Sequence, residues 1–249
     1  MPNNTFHLPL FDQQRSIPIV EPSRPSTATQ LVTAAHAVVD VVVSETIERT
    51  RDAGQSITCG QGCSACCQQL VSVSRMEALA LAELVARMPS ERQAVIRARF
   101  AHSLKTLRAA GVVAPVAPGQ RPHLSIEGSE LTDEEWDAFV KRYFDLHLFC
   151  PFIEDNSCSI YPDRPMICRE YMVTSPVCAC AVLDREKIRT VDLPIGISQR
   201  FYEASGAFDP DSSAKTALVL ALEWAETEPP SRIDGRTIFS FFQMLCLQG

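Results

Sequence analysis

The sequence predicts a mostly α fold: a helical single domain organised around an irregular cysteine-rich segment, with at most one short strand or hairpin. Three observations predict it. Apolar residues recur at helical spacing through most of the chain. Two capping boxes, Ser74 with Glu77 and Thr132 with Glu135, mark helix starts. Between the periodic stretches lie segments with turn residues and clustered cysteines but no period.

Residues 1–28 hold five prolines, Pro2, Pro9, Pro18, Pro22 and Pro25. They read as a disordered or loosely draped tail, which Phe6, Leu8, Leu10, Phe11, Ile17 and Ile19 can still pin to the body. Residues 29–249 read as the helical cysteine-cluster domain. From Thr29 to about Ala53, Leu31, Ala34, Ala35, Val38, Val42 and Ile47 recur near a helical period, and Gly54 ends the run. The box at Ser74 opens a second helix through SRMEALALAELVARM. Pro89 and Ser90 restart the pattern, and a third helix runs to Gly111. A loop rich in proline follows. The box at Thr132 opens a fourth helix, LTDEEWDAFVKRYFDLHLF, which is expected to run directly into Cys150, with Pro151 stopping it. Residues 150–182 are irregular, with turns at Asp155-Asn156 and Pro162-Asp163. The stretch IRTVDLPIG suggests one short strand or edge hairpin. Helices are expected from Ser212 to Glu226 and from Thr237 to Leu247, with Cys246 in the core.

Composition excludes several function classes. At 249 residues, with 46% apolar and 21% charged residues, the chain can bury a substantial core. A net charge of −7 without a basic stripe argues against a nucleic-acid or anionic-membrane partner. The N-terminus lacks the basic and apolar regions of a secretory signal, and no apolar run is read as approaching a membrane span. The chain therefore reads as cytoplasmic. Thiols stay reduced there, so clustered cysteines point to metal rather than disulfides. No phosphate loop, dinucleotide fingerprint, nucleophile elbow or paired-histidine motif is present.

The chemistry lies in ten cysteines. Cys59, Cys63, Cys66 and Cys67 fall within nine residues, as CGQGCSACC. Thiolates this close repel unless a cation neutralises them, which points to a soft metal or an iron–sulfur cluster. Adjacent Cys66 and Cys67 can hardly both face one small ion, so one of them points to a second metal or into the core. A second block supplies Cys150, Cys158, Cys168, Cys178 and Cys180, and the two blocks suggest one shared site. The CxxxCxxC spacing is that of the cubane cluster of radical-SAM enzymes, but flanking helices and the absence of a glycine-rich SAM loop argue against that class.

Across both blocks the chain resembles the YkgJ-type cysteine cluster proteins, a zinc- or iron-chelating family. The resemblance rests on Cys59, Cys63, Cys66 and Cys67, then Cys150-Pro151-Phe152, then Cys158, Ile160, Tyr161, Arg164, Pro165, Cys168 and Arg169. It covers roughly residues 57–175 and implies metal chelation by the family cysteines without a settled reaction. Flagellin lysine N-methylases carry a similar cluster.

The expected ligands are thus Cys59, Cys63, Cys66, Cys67, Cys150, Cys158, Cys168 and Cys178, with Cys180 as a further thiol. These exceed one tetrahedral site, which implies a second metal or a reserve of non-ligands. Iron, as an iron–sulfur cluster, is favoured, with zinc the alternative. Arg164 and Arg169 are expected to balance the thiolate charge or to pair with Asp163, Glu154 or Glu170. Tyr161 and Pro165 are expected to shape the turn between ligands. His147, placed on the helix face before Cys150, and Asp155 and Asp163 are further ligand candidates. Three functions compete: a metal-binding carrier, sensor or electron-transfer protein; a cluster-dependent enzyme that modifies a protein side chain; and a structural zinc module that docks on a protein partner.

Overall fold

The structure is a computed structural model that describes residues 3–117, 119–126, 131–207, 215–227 and 234–247. It is mostly helical, as expected. Its longest element is α1, Ala28–Asp52, opened by a capping box in which Thr27 accepts from the Gln30 N–H and the Gln30 side chain accepts from the Thr27 N–H. Leu31, Ala34, Ala35, Val38, Val42 and their neighbours form its buried face. By length and apolarity this helix is long enough to cross a membrane, contrary to the sequence expectation. In the fold its apolar stripe is covered by protein.

The N-terminal segment corrects the expectation of a disordered tail. It forms a hairpin of β1, Asn3–Leu10, and β2, Gln13–Val20. The two-residue turn Phe11-Asp12 has positive φ at both positions, the geometry that matches strand twist. Phe6, Leu8 and Leu10 alternate with polar residues, and Ile17 and Ile19 continue the same face. That period of two was present in FHLPL and IPI, but the prolines masked it. Pro9 and Pro18 are tolerated because both strands of a two-stranded hairpin are edges. The apolar face lies on α1, together with Phe201 of α7 (Ile197–Gly206) and Ile238, Phe239, Phe242 and Cys246 of α9 (Gly235–Leu247). Arg15 clamps Glu45 of α1 from the hairpin.

A second core joins α2, Arg75–Ala86, and α3, Ser90–Ala109, to α8, Ala221–Glu226, through Leu81, Val85, Ile96, Phe100, Leu222 and Trp224. A third, around Leu107, Val113, Phe139, Tyr143 and Leu220, seats α4, Asp133–Phe144. Short β3, Ser72–Ser74, pairs antiparallel with β6, Lys215–Ala217. With β4, Ile153–Glu154, against β5, Ser157–Cys158, the described residues carry three two-stranded ladders, more than the single hairpin expected. The helix expected from Ser212 shrinks to a 3-10 turn at Leu218–Leu220 followed by α8, and residues 212–214 lie outside the described ones. IRTVDLPIG forms only the single bridge Val173 to Thr190.

Helix α4 also ends earlier than expected. It stops at Phe144 with Asp145 as its C-cap, and His147 has positive φ. Pro151 therefore does not stop it, and Cys150 does not stand at a helix end. A loop over residues 146–149, with Leu146 and Leu148 packed on the third core, carries the chain to the second cysteine block.

Candidate metal centre

Five short pieces position the thiols. The first block, between α1 and β3, is a series of tight turns, with backbone hydrogen bonds Cys63 N–H to Gly60 O, Cys67 N–H to Ser64 O and Gln69 N–H to Cys66 O. Gly62 adopts φ +90°, a left-handed conformation available to glycine, which lets the chain double back between Cys59 and Cys63. The Thr58 N–H donates to the Val173 carbonyl, and the Val173 N–H points at Cys59 Sγ at 3.4 Å. This ties the first block to the segment after Cys168. The Cys150 N–H donates to the Cys67 carbonyl at 2.7 Å and so joins the two blocks directly.

The remaining pieces belong to the second block. Cys158 sits on the β4–β5 hairpin, whose Asp155-Asn156 turn has positive φ at both residues. Arg99 of α3 donates to the Ile153 carbonyl, and both Arg92 and Arg99 face Glu154. Cys168 sits on α5, Met166–Glu170, which starts after Pro165. Its first free N–H, on Met166, is capped at 2.8 Å by Glu77, a fully buried carboxylate from the α2 capping box. Cys180 sits on α6, Val177–Ala181, with the Tyr171 hydroxyl 3.8 Å from its sulfur.

These pieces enclose two neighbouring cavities. One, about 170 Å³, is lined by Cys59, Cys63, Cys66, Cys168 and Cys180. The other, about 150 Å³, is lined by Cys63, Cys66, Cys67, Cys150, Cys158 and Cys168. They share Cys63, Cys66, Cys168, Tyr161, Arg164 and Tyr171 as a common wall. Cys59 packs on the hairpin-and-α1 core, and Cys150 and Cys158 pack on the α2–α3–α8 core. The thiols therefore stand where two hydrophobic cores meet.

Seven of the eight expected ligands, all but Cys178, line the two cavities, and Cys180 lines the first of them as well. Cys178 is exposed on α6 and lines neither cavity, whereas Cys180, two residues on, faces inward. On a helix two residues are about 200° apart, so only one of this pair can face the cluster. The sequence offered no signal for choosing between them. His147 is exposed and packs edge-on to Phe144, away from the thiols. Asp155 and Asp163 line neither cavity. Glu154, a proposed partner of the arginines of the motif, belongs instead to Arg92 and Arg99.

The two arginines of the motif also separate. Arg169 is buried and makes no bond to sulfur: Nη1 meets Asp40 at 2.6 Å, Nη2 meets His36 Nδ1 and the Pro162 carbonyl, and Nε meets the Arg164 carbonyl. It pairs with Asp40 of α1, not with Asp163, Glu154 or Glu170. Glu170 instead accepts from the Ser198 N–H and hydroxyl. Arg164 lies in the wall between the cavities with its guanidinium 3.9 Å from the Tyr161 ring centre. Its buried Nε has no hydrogen-bond partner.

Burial sets the thiol chemistry. It pushes Cys59, Cys158, Cys168 and Cys180 up, and Cys150 up to about 12. Cys66 is held up first by its hydrogen bond with Cys67 and then by burial. Charge at Cys66 raises Cys59, Cys150, Cys158, Cys168 and Cys180 alike, so it sits at the centre of the group. Arg164 opposes the rise at Cys66 and Cys158. Without a cation, these groups remain neutral thiols. Among the described residues no three His, Cys, Asp or Glu side chains are already arranged to hold one metal ion. The thiols line the cavities without converging on a point. The donor set still fits a thiophilic metal: eight sulfurs, apolar walls and one guanidinium with an unused donor.

A helical domain that gathers eight cysteines at a junction of cores defines a cysteine-cluster protein. The chain belongs to the CxxCxxCC family, described as "Putative zinc- or iron-chelating domain", whose model matches residues 58–192. The family name has two residues between its first two cysteines; here Gly60, Gln61 and Gly62 make three. No curated protein and no solved structure matches the chain.

Proposed function

We propose that the protein chelates iron as an iron–sulfur cluster through the inward-facing cysteines, its thiolates balanced by Arg164. One observation carries this reading: eight thiols from five separate pieces of chain line adjoining cavities of about 150 and 170 Å³. A lone zinc ion in a closed tetrahedral site needs four sulfurs and no cavity, whereas a multi-atom cluster needs both space and thiolates. The surrounding apolar side chains and the unused Arg164 donor suit an anionic cluster, whose potential such groups tune.

Anaerobic purification followed by visible spectroscopy and metal analysis tests the proposal. A broad violet-to-blue absorption with iron and acid-labile sulfide is expected. A colourless protein with stoichiometric zinc and no sulfide would show that the family's alternative metal occupies the site.

A further inference from the structure

We propose that the cysteine junction holds two metal centres, one in each cavity, rather than one. The inference rests on the chelation reading above and extends it from one centre to two.

The thiols divide between the two cavities. Cys59 and Cys180 line only the first cavity, and Cys67, Cys150 and Cys158 line only the second. Cys63, Cys66 and Cys168 form the wall and are open to both. A four-coordinate thiolate centre takes four sulfurs. Two wall thiols complete the pair in the first cavity, and the third completes the trio in the second. Eight thiols then fill eight positions with none left over. A single four-thiolate centre would leave four of the eight lining thiols without a role.

The vicinal pair fits the same division. Cys66 belongs to the wall, while Cys67 faces only the second cavity. Adjacent side chains that could not both serve one ion can serve neighbouring ones. The two centres also have separate supports: the first is backed by the α1 and hairpin core through Cys59, the second by the α2–α3 core through Cys150 and Cys158. Arg164, in the shared wall, places its positive charge between two anionic centres and reduces their repulsion.

Titration of the full-length apoprotein with cobalt(II), followed by thiolate-to-cobalt charge-transfer absorption, counts the centres whatever metal is physiological. The wild-type end point is expected at two equivalents. The double variants Cys59→Ser/Cys180→Ser and Cys150→Ser/Cys158→Ser are each expected to stop at one. Cadmium-113 NMR of the wild-type protein needs no variant to fold and is expected to give two thiolate resonances. A wild-type end point of one equivalent, or a single cadmium resonance, overturns the two-centre inference and leaves chelation standing. So does a folded double variant that still takes two cobalt ions or takes none. Absence of any charge-transfer band in the wild type removes the chelation reading, and the inference with it.

Discussion

Around α1, five apolar side chains of the hairpin close on the phenylalanines of α7 and α9, and Phe242 meets the rings of Phe6, Phe201 and Phe239 edge-on or tilted with centres within 6 Å. That region is held by buried area, which needs no partner outside the chain. The cysteine junction is built differently. Its pieces are turns, a two-residue ladder and two five-residue helices. They are joined by a few hydrogen bonds, single ones from Cys150 to Cys67 and from Met166 to Glu77 and a pair from the Thr58 N–H and hydroxyl to the Val173 carbonyl. The difference teaches where metal should matter: one region is complete without it, and in the other the groups facing inward are thiols that burial keeps neutral.

Metal removal should break the comparison open most widely. Structural thiolate sites contribute on the order of 10 kcal/mol of folding energy in small domains. Stripping the metal should therefore raise amide exchange through residues 55–71 and 150–182 while α1 and the hairpin stay protected. Hydrogen exchange followed by mass spectrometry reads this directly; uniform protection in both regions would show that the junction is held by its own packing. The converse variant, Phe242→Ala, deletes a fully buried ring from the first region and should cost about 3–5 kcal/mol. Its metal content should be unchanged while it remains folded, as metal analysis after a denaturant titration would show.

The motif arginines sharpen the contrast within the junction. Arg169→Ala removes a guanidinium that binds the Pro162 and Arg164 carbonyls on either side of the turn leading to Cys168. Because Asp40 is half exposed and can rehydrate, the cost should be that of lost charged hydrogen bonds, about 2–3 kcal/mol, together with weaker metal retention. Arg164→Gln removes no hydrogen bond at Nε and should leave stability nearly unchanged. It should instead shift the charge-transfer band or reduction potential of the bound metal. If both variants behaved alike, the division between a positioning arginine and a charge-balancing one would fail.

His36, beside Arg169, gives the comparison a pH axis. Burial, and then the charges of Arg169 and Arg164, lower its pKa from 6.5 to about 3. The folded pKa lies below the unfolded one, so neutral His36 contributes stability that is present above pH 6.5 and is lost as pH falls towards 3. Glu77 and Glu170, whose carboxyls burial pushes up, act in the opposite sense as they protonate. The useful measurement is therefore a difference. The melting temperature of metal-free wild type, relative to His36→Asn, should fall as pH drops through this window. A constant difference would remove His36 from the account.

How much of this was readable in the sequence follows the same line. Helices α1, α2 and α3 announce themselves by period, cap or breaker, and their ranges came out within a residue or two of expectation, whereas α7 of the first core was not expected and α8 of the second came out shorter. The hairpin did not, because Pro9 and Pro18 speak for disorder unless the FHLPL alternation is read against them. Most of the cluster was readable because family spacing marks its cysteines. Cys180 in place of Cys178, and Asp40 as the partner of Arg169, were not. Both depend on which face of a short helix meets an element far away in sequence, and local pattern carries no record of that.

The smallest expected effect separates two capping boxes that look alike in sequence. Ser74 and Thr132 each accept from the N–H three residues on, and each receives a glutamate in return. Thr132 is exposed at the start of α4, and its glutamate bonds only to Thr132 itself, where water can replace it, so Thr132→Ala should cost about 0.5–1 kcal/mol and leave the metal untouched. Ser74 makes the same set of bonds but is fully buried, and its glutamate, Glu77, also caps α5 at Met166. Ser74→Ala should cost nearer 2 kcal/mol, since it frees a buried carboxylate from one of its donors. Because Glu77 then holds α5 less firmly, Cys168 should exchange metal faster. Equal metal off-rates in the two variants, measured by competition with a colorimetric chelator, would show that Glu77 does not couple the α2 cap to the junction.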